Sequence, residues 1–145
     1  MPDTPQTPPP NDQTVFGQFL GFALLEAKDG VSRVRMDANE RHVHPGGVQG
    51  GAFMAFMDHA VHLAVTSLCT MDQTHTTIEF KVNFMRPGKK GDILTATSTV
   101  ISRGSRIMVA ETEVRNQNGD LLTKSMSTEM IIPKPQPPKS GASQG

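Results

Sequence analysis

The sequence predicts an α+β protein in which an antiparallel sheet wraps around one long helix. The chain contains a single long helix-compatible run, roughly Gly51 to Leu68, with apolar residues on nearly every side. Two strand-like segments precede this run and four follow it after Asp72, with short turns between most of them. A helix that is apolar all round must be covered on most sides. Wrapping the sheet around the helix buries the apolar faces of both.

The elements before the long helix are predicted from periodicity and turn residues. Apolar residues at helical spacing in 15–22 indicate one short helix. Strand-like runs at 22–28 and 31–36 flank the dipeptide Asp29-Gly30, which is typical of a two-residue β-hairpin turn. The loop 37–47 contains a proline and two glycines, so we expect no regular structure in it.

The segments after the long helix read as strands. Residues 74–85 alternate between polar and apolar, which predicts a strand with Thr77 on its polar face and Ile78 and Phe80 on its apolar face. Three more segments rich in β-branched residues follow, at 93–102, 107–115 and 121–132. Because short turns separate all four strands, we expect an antiparallel meander.

Composition predicts one domain and disfavours several classes of function. The chain has 145 residues, and its proline-rich ends hold too few apolar side chains to offset the entropy of ordering. We therefore expect disordered tails at 1–11 and 134–145, and a folded domain at 12–133. The net charge is zero and the basic residues form no long block, which argues against a nucleic-acid-binding protein.

The single cysteine and the interrupted apolar run indicate where in the cell the protein is expected. Cys69 is the only cysteine, which excludes an intramolecular disulfide and fits a reducing compartment. Its place in an apolar helix favours a buried structural thiol. Asp58, His59 and His62 interrupt the apolar run well short of the ~20 residues that a membrane-spanning helix needs. We expect a soluble cytoplasmic protein with no membrane partner.

Two glycine pairs and one carboxylate point to chemistry. The pairs Gly46-Gly47 and Gly50-Gly51 lead into the long helix, and Asp58 lies within it among apolar residues. Glycines at a helix start let another group approach backbone N–H donors that favour negative charge. A carboxylate among apolar residues needs a partner or a function. We predict a catalytic site around Gly50 and Asp58, the alternatives being tight packing for the glycines and loop capping for the aspartate.

The spacing of these two residues predicts a dimer. Asp58 follows Gly50 by eight residues, which is ~12 Å along a helix. A single substrate carbonyl cannot contact a donor and a carboxylate that far apart. If both act on one substrate, they must come from different chains related by a two-fold axis.

Two stretches carry a resemblance to a known family. HPGGVQGGAFMAFMD and TTIEFKVNFMRPGKKGD, within about 16–132, resemble hotdog-fold acyl-CoA thioesterases of the phenylacetic-acid-pathway and thioesterase superfamily member 2 type. The resemblance implies a homodimer with one continuous sheet, which in some members pairs into a tetramer. It also implies hydrolysis of acyl- or aryl-CoA, with the Gly50 N–H polarising the carbonyl and the partner chain's Asp58 as base or nucleophile. No cofactor or metal is implied.

The resemblance implies further residues at the site. Thr77 matches a hydroxyl residue that some members place near the carboxylate, although a plain strand threonine is an equal alternative. Gln49 stands where the family usually has a histidine before the glycine pair. His44 or Val43 stands where the family usually has a loop asparagine that orients water.

Basic turns and a nearby histidine complete the candidates. The side chains expected to bind the phosphates of coenzyme A are Arg86, Lys89, Lys90, Arg103 and Arg106; the alternative is that they are simply solvated. His62 shares a helix face with Asp58, and we interpret it as a packing or interface histidine, not a metal ligand. Two other functions stay open: a non-catalytic acyl-CoA-binding hotdog protein, and a hotdog hydratase or dehydratase.

Overall fold

The structure, a computed structural model, describes residues 14–138. In this part of the chain there are two helices and eight strands. In chain order they are α1 (Val15–Leu20), β1 (Phe22–Lys28), β2 (Val31–Asp37), β3 (Val43–His44), β4 (Gly47–Val48), α2 (Gly50–Thr66), β5 (Gln73–Phe84), β6 (Ile93–Arg103), β7 (Ile107–Arg115) and β8 (Leu121–Pro133). Of the predicted tails, 1–11 and 139–145 lie outside the described residues, and 134–138 have no regular secondary structure.

Six of the strands form one antiparallel sheet in the order β1-β2-β6-β7-β8-β5. Helix α2 packs across one face of this sheet and contacts all six strands. This confirms the predicted α+β architecture with a sheet wrapped around a long helix. The predicted turn at Asp29-Gly30 is also confirmed, since both residues have the positive φ values, +53° and +80°, that such a turn requires.

The predicted four-strand meander was wrong for β5. Strands β6, β7 and β8 do form a meander, but β5 pairs with β8 at the far edge of the sheet. One edge of β6 is occupied by β2, so that edge is closed to β5. The connection after β5 begins on β8, because Met85 N and Arg86 N both donate to Leu122 O, at 2.8 and 3.1 Å.

A small hairpin, β3–β4, fixes where α2 begins, so the expectation of no regular structure in 37–47 was wrong. At Gly47 the backbone has φ +127°, a conformation open mainly to glycine. The next residue, Val48, donates its N–H to Gly88 O at 2.8 Å, and Gln49 N donates to His42 O at 2.8 Å. These bonds hold the chain immediately before the first turn of α2.

The core lies between α2 and the sheet. Its largest side chains include Phe56 and Met57 of α2 and Leu94 of β6, all fully buried. A second cluster at the end of the helix contains Cys69, which is 1% exposed. The interpretation of Cys69 as a buried thiol is therefore confirmed, and burial raises its pKa.

One face of α2 is open in the single chain, although the sequence predicted burial on most sides. Gly51, Met54 and Asp58 are exposed, and His62 is half-buried. These positions recur every three or four residues and so lie on one side of the helix. We call Gly51, Met54 and Asp58 the open face.

We predict that Gly47→Ala destabilises the fold far more than Gly91→Ala. A Cβ at Gly47 would lie 2.4 Å from Gly88 O, whereas a Cβ at Gly91 would meet nothing within 4 Å. Both residues have positive φ, so both pay backbone strain of about 1 kcal/mol. Only Gly47→Ala adds a backbone clash, which we expect to bring its loss to roughly 3 kcal/mol or more. Denaturant unfolding measures both, and equal losses would contradict the clash.

Candidate active site

Gly50 is the first residue of α2 and borders a pocket. Gln49 precedes it in an extended conformation, φ −67° and ψ 140°, and does not cap the helix with its side chain. Among the described residues no acceptor receives the Gly50 N–H. The pocket has a volume of about 320 Å³, and its walls include Phe53, Phe84 and Arg86. A helix start with an unused donor is suited to bind a partial negative charge.

Packing does not account for the Gly50-Gly51 pair. A Cβ at Gly51 would meet nothing within 4 Å. A Cβ at Gly50 would lie 3.4 Å from Phe84 Cζ, an ordinary contact. Tight packing of helix against sheet, the alternative weighed for these glycines, therefore requires neither of them.

Asp58 projects into a second, larger pocket. This pocket has a volume of about 410 Å³ and is lined in part by Phe16, Phe22 and Ala55. Among the described residues no hydrogen bond reaches the Asp58 carboxylate, so the loop-capping alternative has no support there. Its pKa is raised, first because surrounding protein atoms replace water and second because of the negative charge of Glu129; His75 opposes the rise. The side chain is nevertheless exposed at the pocket mouth.

A β-bulge turns Thr77 toward the helix, which corrects the predicted strand faces. Thr77 pairs with Glu129, but the next pair is Glu79 with Thr128, so Ile78 is the extra residue. As a result Ile78 is 54% exposed, and Thr77 lines the Asp58 pocket. The bulge reverses the alternation, so the predicted faces were wrong for Thr77 and Ile78. Phe80, beyond the bulge, packs against the core as predicted.

The Thr77 hydroxyl donates to both oxygens of Glu129, at 3.0 Å each. Glu129 lies on β8 and is 0% exposed. His75, two residues before Thr77, donates from Nδ1 to Glu129 Oε2 at 2.9 Å. Neither His75 nor Glu129 was predicted from the sequence as a site residue.

His44 and Val43 differ in exposure. Val43 is half-buried and packs against the core, whereas His44 is exposed. The His44 Nδ1 accepts from Gly46 N at 3.0 Å. His44 is thus the one of the two whose side chain remains at the surface ahead of α2.

The five basic residues fall into two groups. Arg86 lines the Gly50 pocket, and Lys89 and Lys90 follow in the same connection. Arg103 and Arg106 lie around the turn between β6 and β7, where the Arg103 guanidinium donates to Leu68 O at 3.1 Å. Leu68 follows the end of α2 and Gly50 begins it, so one chain does not bring the two groups together.

Gly50 and Asp58 also lie apart within one chain. Their two pockets share no lining residue, as expected from eight residues of helix between them. That a second chain unites them stays a prediction. Neither helix in the described range is long and apolar enough to cross a membrane.

Comparisons of the sequence with known proteins identify a family. The sequence model of the thioesterase superfamily matches residues 45–123, a range that includes Gly50, Asp58 and Thr77. A protein of Saccharolobus solfataricus, named Putative esterase SSO1253, is 31% identical over 114 residues, covering 78% of this chain and 75% of its own. A shorter match is to the Escherichia coli medium/long-chain acyl-CoA thioesterase YigI, 33% identical over 55 residues, or 38% of this chain and 35% of YigI.

Solved structures share the fold. The conserved protein PA5202 from Pseudomonas aeruginosa has a TM-score of 0.78 and 29% identity, covering 83% of this chain and 95% of its own. The structure of smu.793 from Streptococcus mutans, bound to acetyl-CoA, has a TM-score of 0.77 and 20% identity, covering 87% and 98%. The chain adopts the hotdog fold and belongs to the thioesterase superfamily.

Proposed function

We propose that this thioesterase hydrolyses acyl-CoA, with each active site assembled from Gly50 of one chain and Asp58 of another. The observation that carries this proposal is the placement of two groups in separate pockets: the N–H of Gly50 at the start of α2, unbonded within the described residues, and the partly desolvated carboxylate of Asp58. The names of two similar proteins support the substrate class: YigI is an acyl-CoA thioesterase, and smu.793 was solved with acetyl-CoA.

Strand β5 is the edge at which we expect the second chain to pair. It is a sheet edge of 12 residues, paired on one side only by β8 among the described residues. Ile78 and Phe84 are more than half exposed along it. A long edge strand with exposed apolar residues favours pairing with another chain.

Pairing of two β5 strands would bring unlike pockets together. Residues 75–77 border the Asp58 pocket, and residues 84–85 border the Gly50 pocket. An antiparallel pair about a two-fold axis near Phe80 sets residue 76 of one chain opposite residue 84 of the other. The Asp58 pocket of each chain then faces the Gly50 pocket of its partner, and the open face of α2 is covered.

The proposed reaction needs only groups of the protein and water. Asp58, acting as base, takes a proton from water while the water oxygen attacks the thioester carbon. The carbonyl electron pair moves onto oxygen, and the Gly50 N–H stabilises that charge. The carbon–sulfur bond then breaks, the coenzyme A thiolate leaves, and the proton passes from Asp58 to the thiolate or to solvent. Direct attack by the Asp58 carboxylate is the other route.

The phosphates of coenzyme A require positive charge near the Gly50 pocket. Arg86 borders it, and Lys89 and Lys90 follow directly in the chain. Arg86 Nη1 lies 3.5 Å from Asp120 Oδ1, and Lys90 Nζ lies 2.7 Å from Glu40 Oε1. Both ion pairs are exposed. Exposed pairs contribute little free energy, so these cations are free to exchange partners. We propose these three for the phosphates.

We predict that two inactive variants restore activity when combined in one dimer. Gly50→Pro removes the N–H, yet proline is tolerated at the first helical position, and the extended Gln49 backbone suits the residue before proline. Asp58→Asn removes the carboxylate. A heterodimer of the two has one intact Gly50 and one intact Asp58 in the same site. Random mixing gives half heterodimers, hence about a quarter of wild-type activity.

The control places both substitutions in the same chain. A chain carrying both Gly50→Pro and Asp58→Asn, paired with wild type, leaves no intact site if the groups come from different chains. It leaves one intact site if they come from the same chain. Thioester hydrolysis by separated heterodimers distinguishes these results, and sizing confirms their assembly. Activity only in the second mixture would overturn the two-chain site.

We predict that Asp58→Asn lowers hydrolysis of acyl-CoA roughly 100-fold or more while the fold is kept, since the base or nucleophile is lost. Thiol release from aliphatic and aromatic coenzyme A esters measures this. Activity within a few-fold of wild type would eliminate the assignment. An enoyl-CoA hydration assay tests the hydratase alternative, and ligand binding without turnover by the wild type would indicate a binding protein.

The pH dependence of hydrolysis follows from the raised pKa of Asp58. Asp58 works as a base only when ionised, and its pKa is raised above the ordinary value for aspartate by burial and by Glu129. Activity should therefore be full above that raised pKa and fall as the pH drops through it. We expect the acid limb of kcat/KM at a higher pH than an unperturbed aspartate would give. A limb at or below the ordinary aspartate pKa would contradict this.

A further inference from the structure

A chain of hydrogen bonds leads from the buried core to the Asp58 pocket. Glu129, fully buried on β8, accepts from His75 Nδ1 at 2.9 Å. On the other side of the same ring, His75 Nε2 lies 3.0 Å from His62 Nδ1. His62 is on α2, one turn after Asp58, and lines the same pocket.

Hydrogen-bond chemistry fixes the positions of most of the protons in this series of hydrogen bonds. Glu129 accepts from the Thr77 hydroxyl and from His75, as an ionised carboxylate does. The proton on His75 is then on Nδ1, and Nε2 faces His62. Two ring nitrogens 3.0 Å apart form a hydrogen bond only when one proton lies between them. Glu129 thus selects the tautomer of His75, and His75 in turn fixes the ring of His62.

We propose that Glu129 is a positioning residue for the Asp58 site: it holds the Thr77 hydroxyl and, through His75, the ring of His62 in the pocket wall. This proposal rests on the function proposed above. Glu129 contacts no substrate and is not a catalytic residue. It acts through three side chains that face the pocket: Thr77, His75 and His62.

Stability alone gives little reason for this arrangement. A buried carboxylate is costly to desolvate, and replacing a buried polar pair with well-packed apolar residues is often neutral or stabilising. Here Thr77, His75 and His62 all line the pocket that contains Asp58. One further contact of the network, between Thr66 Oγ1 and His75 Nε2 at 3.4 Å, lies outside that lining. The buried carboxylate provides a fixed geometry at that wall, since its two oxygens hold Thr77 and His75 together.

The network also sets the charge around Asp58. Within residues 14–138, the titratable side chains that line the pocket beside Asp58 are His59 and His62 from α2 and His75 from β5, with Glu129 of β8 behind them. The part of α1 at the pocket contributes no titratable side chain. The negative charge of Glu129 raises the pKa of Asp58, and the positive charge that His75 carries when both of its ring nitrogens are protonated lowers that pKa. Removing Glu129 and removing His75 should therefore move the acid limb of the pH profile of kcat/KM in opposite directions.

The test uses Glu129→Gln and His75→Asn in the full-length protein. Glutamine keeps the shape and an acceptor for Thr77 but removes the charge. Asparagine retains a donor at the Nδ1 position toward Glu129 but has no atom in place of Nε2. We expect kcat to fall roughly tenfold in each, with KM little changed. We also expect the acid limb to move to lower pH in Glu129→Gln and to higher pH in His75→Asn.

A matched control separates position from charge. Glu113→Gln makes the same change on β7, where Glu113 pairs with Arg115 at 3.0 Å on the face away from α2, and it should leave kcat and the acid limb unchanged. An unaltered pH profile of activity in Glu129→Gln would overturn the proposal. So would acid limbs that move in the same direction in Glu129→Gln and His75→Asn. If Glu129→Gln fails to fold, His75→Asn alone decides it by the direction of its shift.

Histidine NMR separates this inference from the proposed function. In wild type the ¹⁵N shifts should report a protonated Nδ1 on His75, and Glu129→Gln should alter the signals of both His75 and His62. A wild type that hydrolyses no thioester overturns the proposed function, and the positioning of these rings is then judged on the NMR result. Unchanged histidine signals in Glu129→Gln overturn the positioning role even where hydrolysis is intact.

Discussion

The proposed active site depends on the rise of an α-helix, which separates its two groups. Carbon and oxygen of a carbonyl are about 1.2 Å apart, yet the donor at Gly50 and the carboxylate at Asp58 are separated by about 12 Å of α2. No side-chain motion closes that distance, because Gly50 has no side chain and its N–H is fixed by the first turn of the helix. The fold instead leaves one side of α2 uncovered, beside a sheet edge that a second chain can occupy.

The start of the helix is controlled from outside it. Gln49 makes no side-chain cap, so the direction of the first turn comes from the β3–β4 hairpin and from the bond of Val48 N to Gly88 O. Gly88 belongs to the connection that also contains Arg86 and Lys89. The segment that orients the Gly50 N–H is therefore covalently linked to the cations proposed for coenzyme A.

Much of the fold follows from local signals in the sequence. The long apolar helix, the Asp29-Gly30 turn and the strand segments were predictable, as were Gly50 and Asp58 as candidates, because each depends on neighbouring residues. The place of β5 beside β8 was not, because strand order is set by long-range pairing. Glu129 was hidden for another reason. On β8 the buried side chains include Ser127 and Glu129, while Met126 and Met130 face outward, the reverse of the usual alternation.

The bulge at Ile78 divides β5 into two halves, and the alternation of side chains between the two faces of the sheet is reversed from one half to the other. Odd-numbered residues before it face the helix, as Thr77 does, and even-numbered ones after it do, as Phe80 does. A related protein with an unbroken strand would set a different residue in the position of Thr77. Equivalent pocket residues in such relatives have to be matched by three-dimensional superposition, because an ungapped alignment through β5 would equate side chains on opposite sides of the sheet.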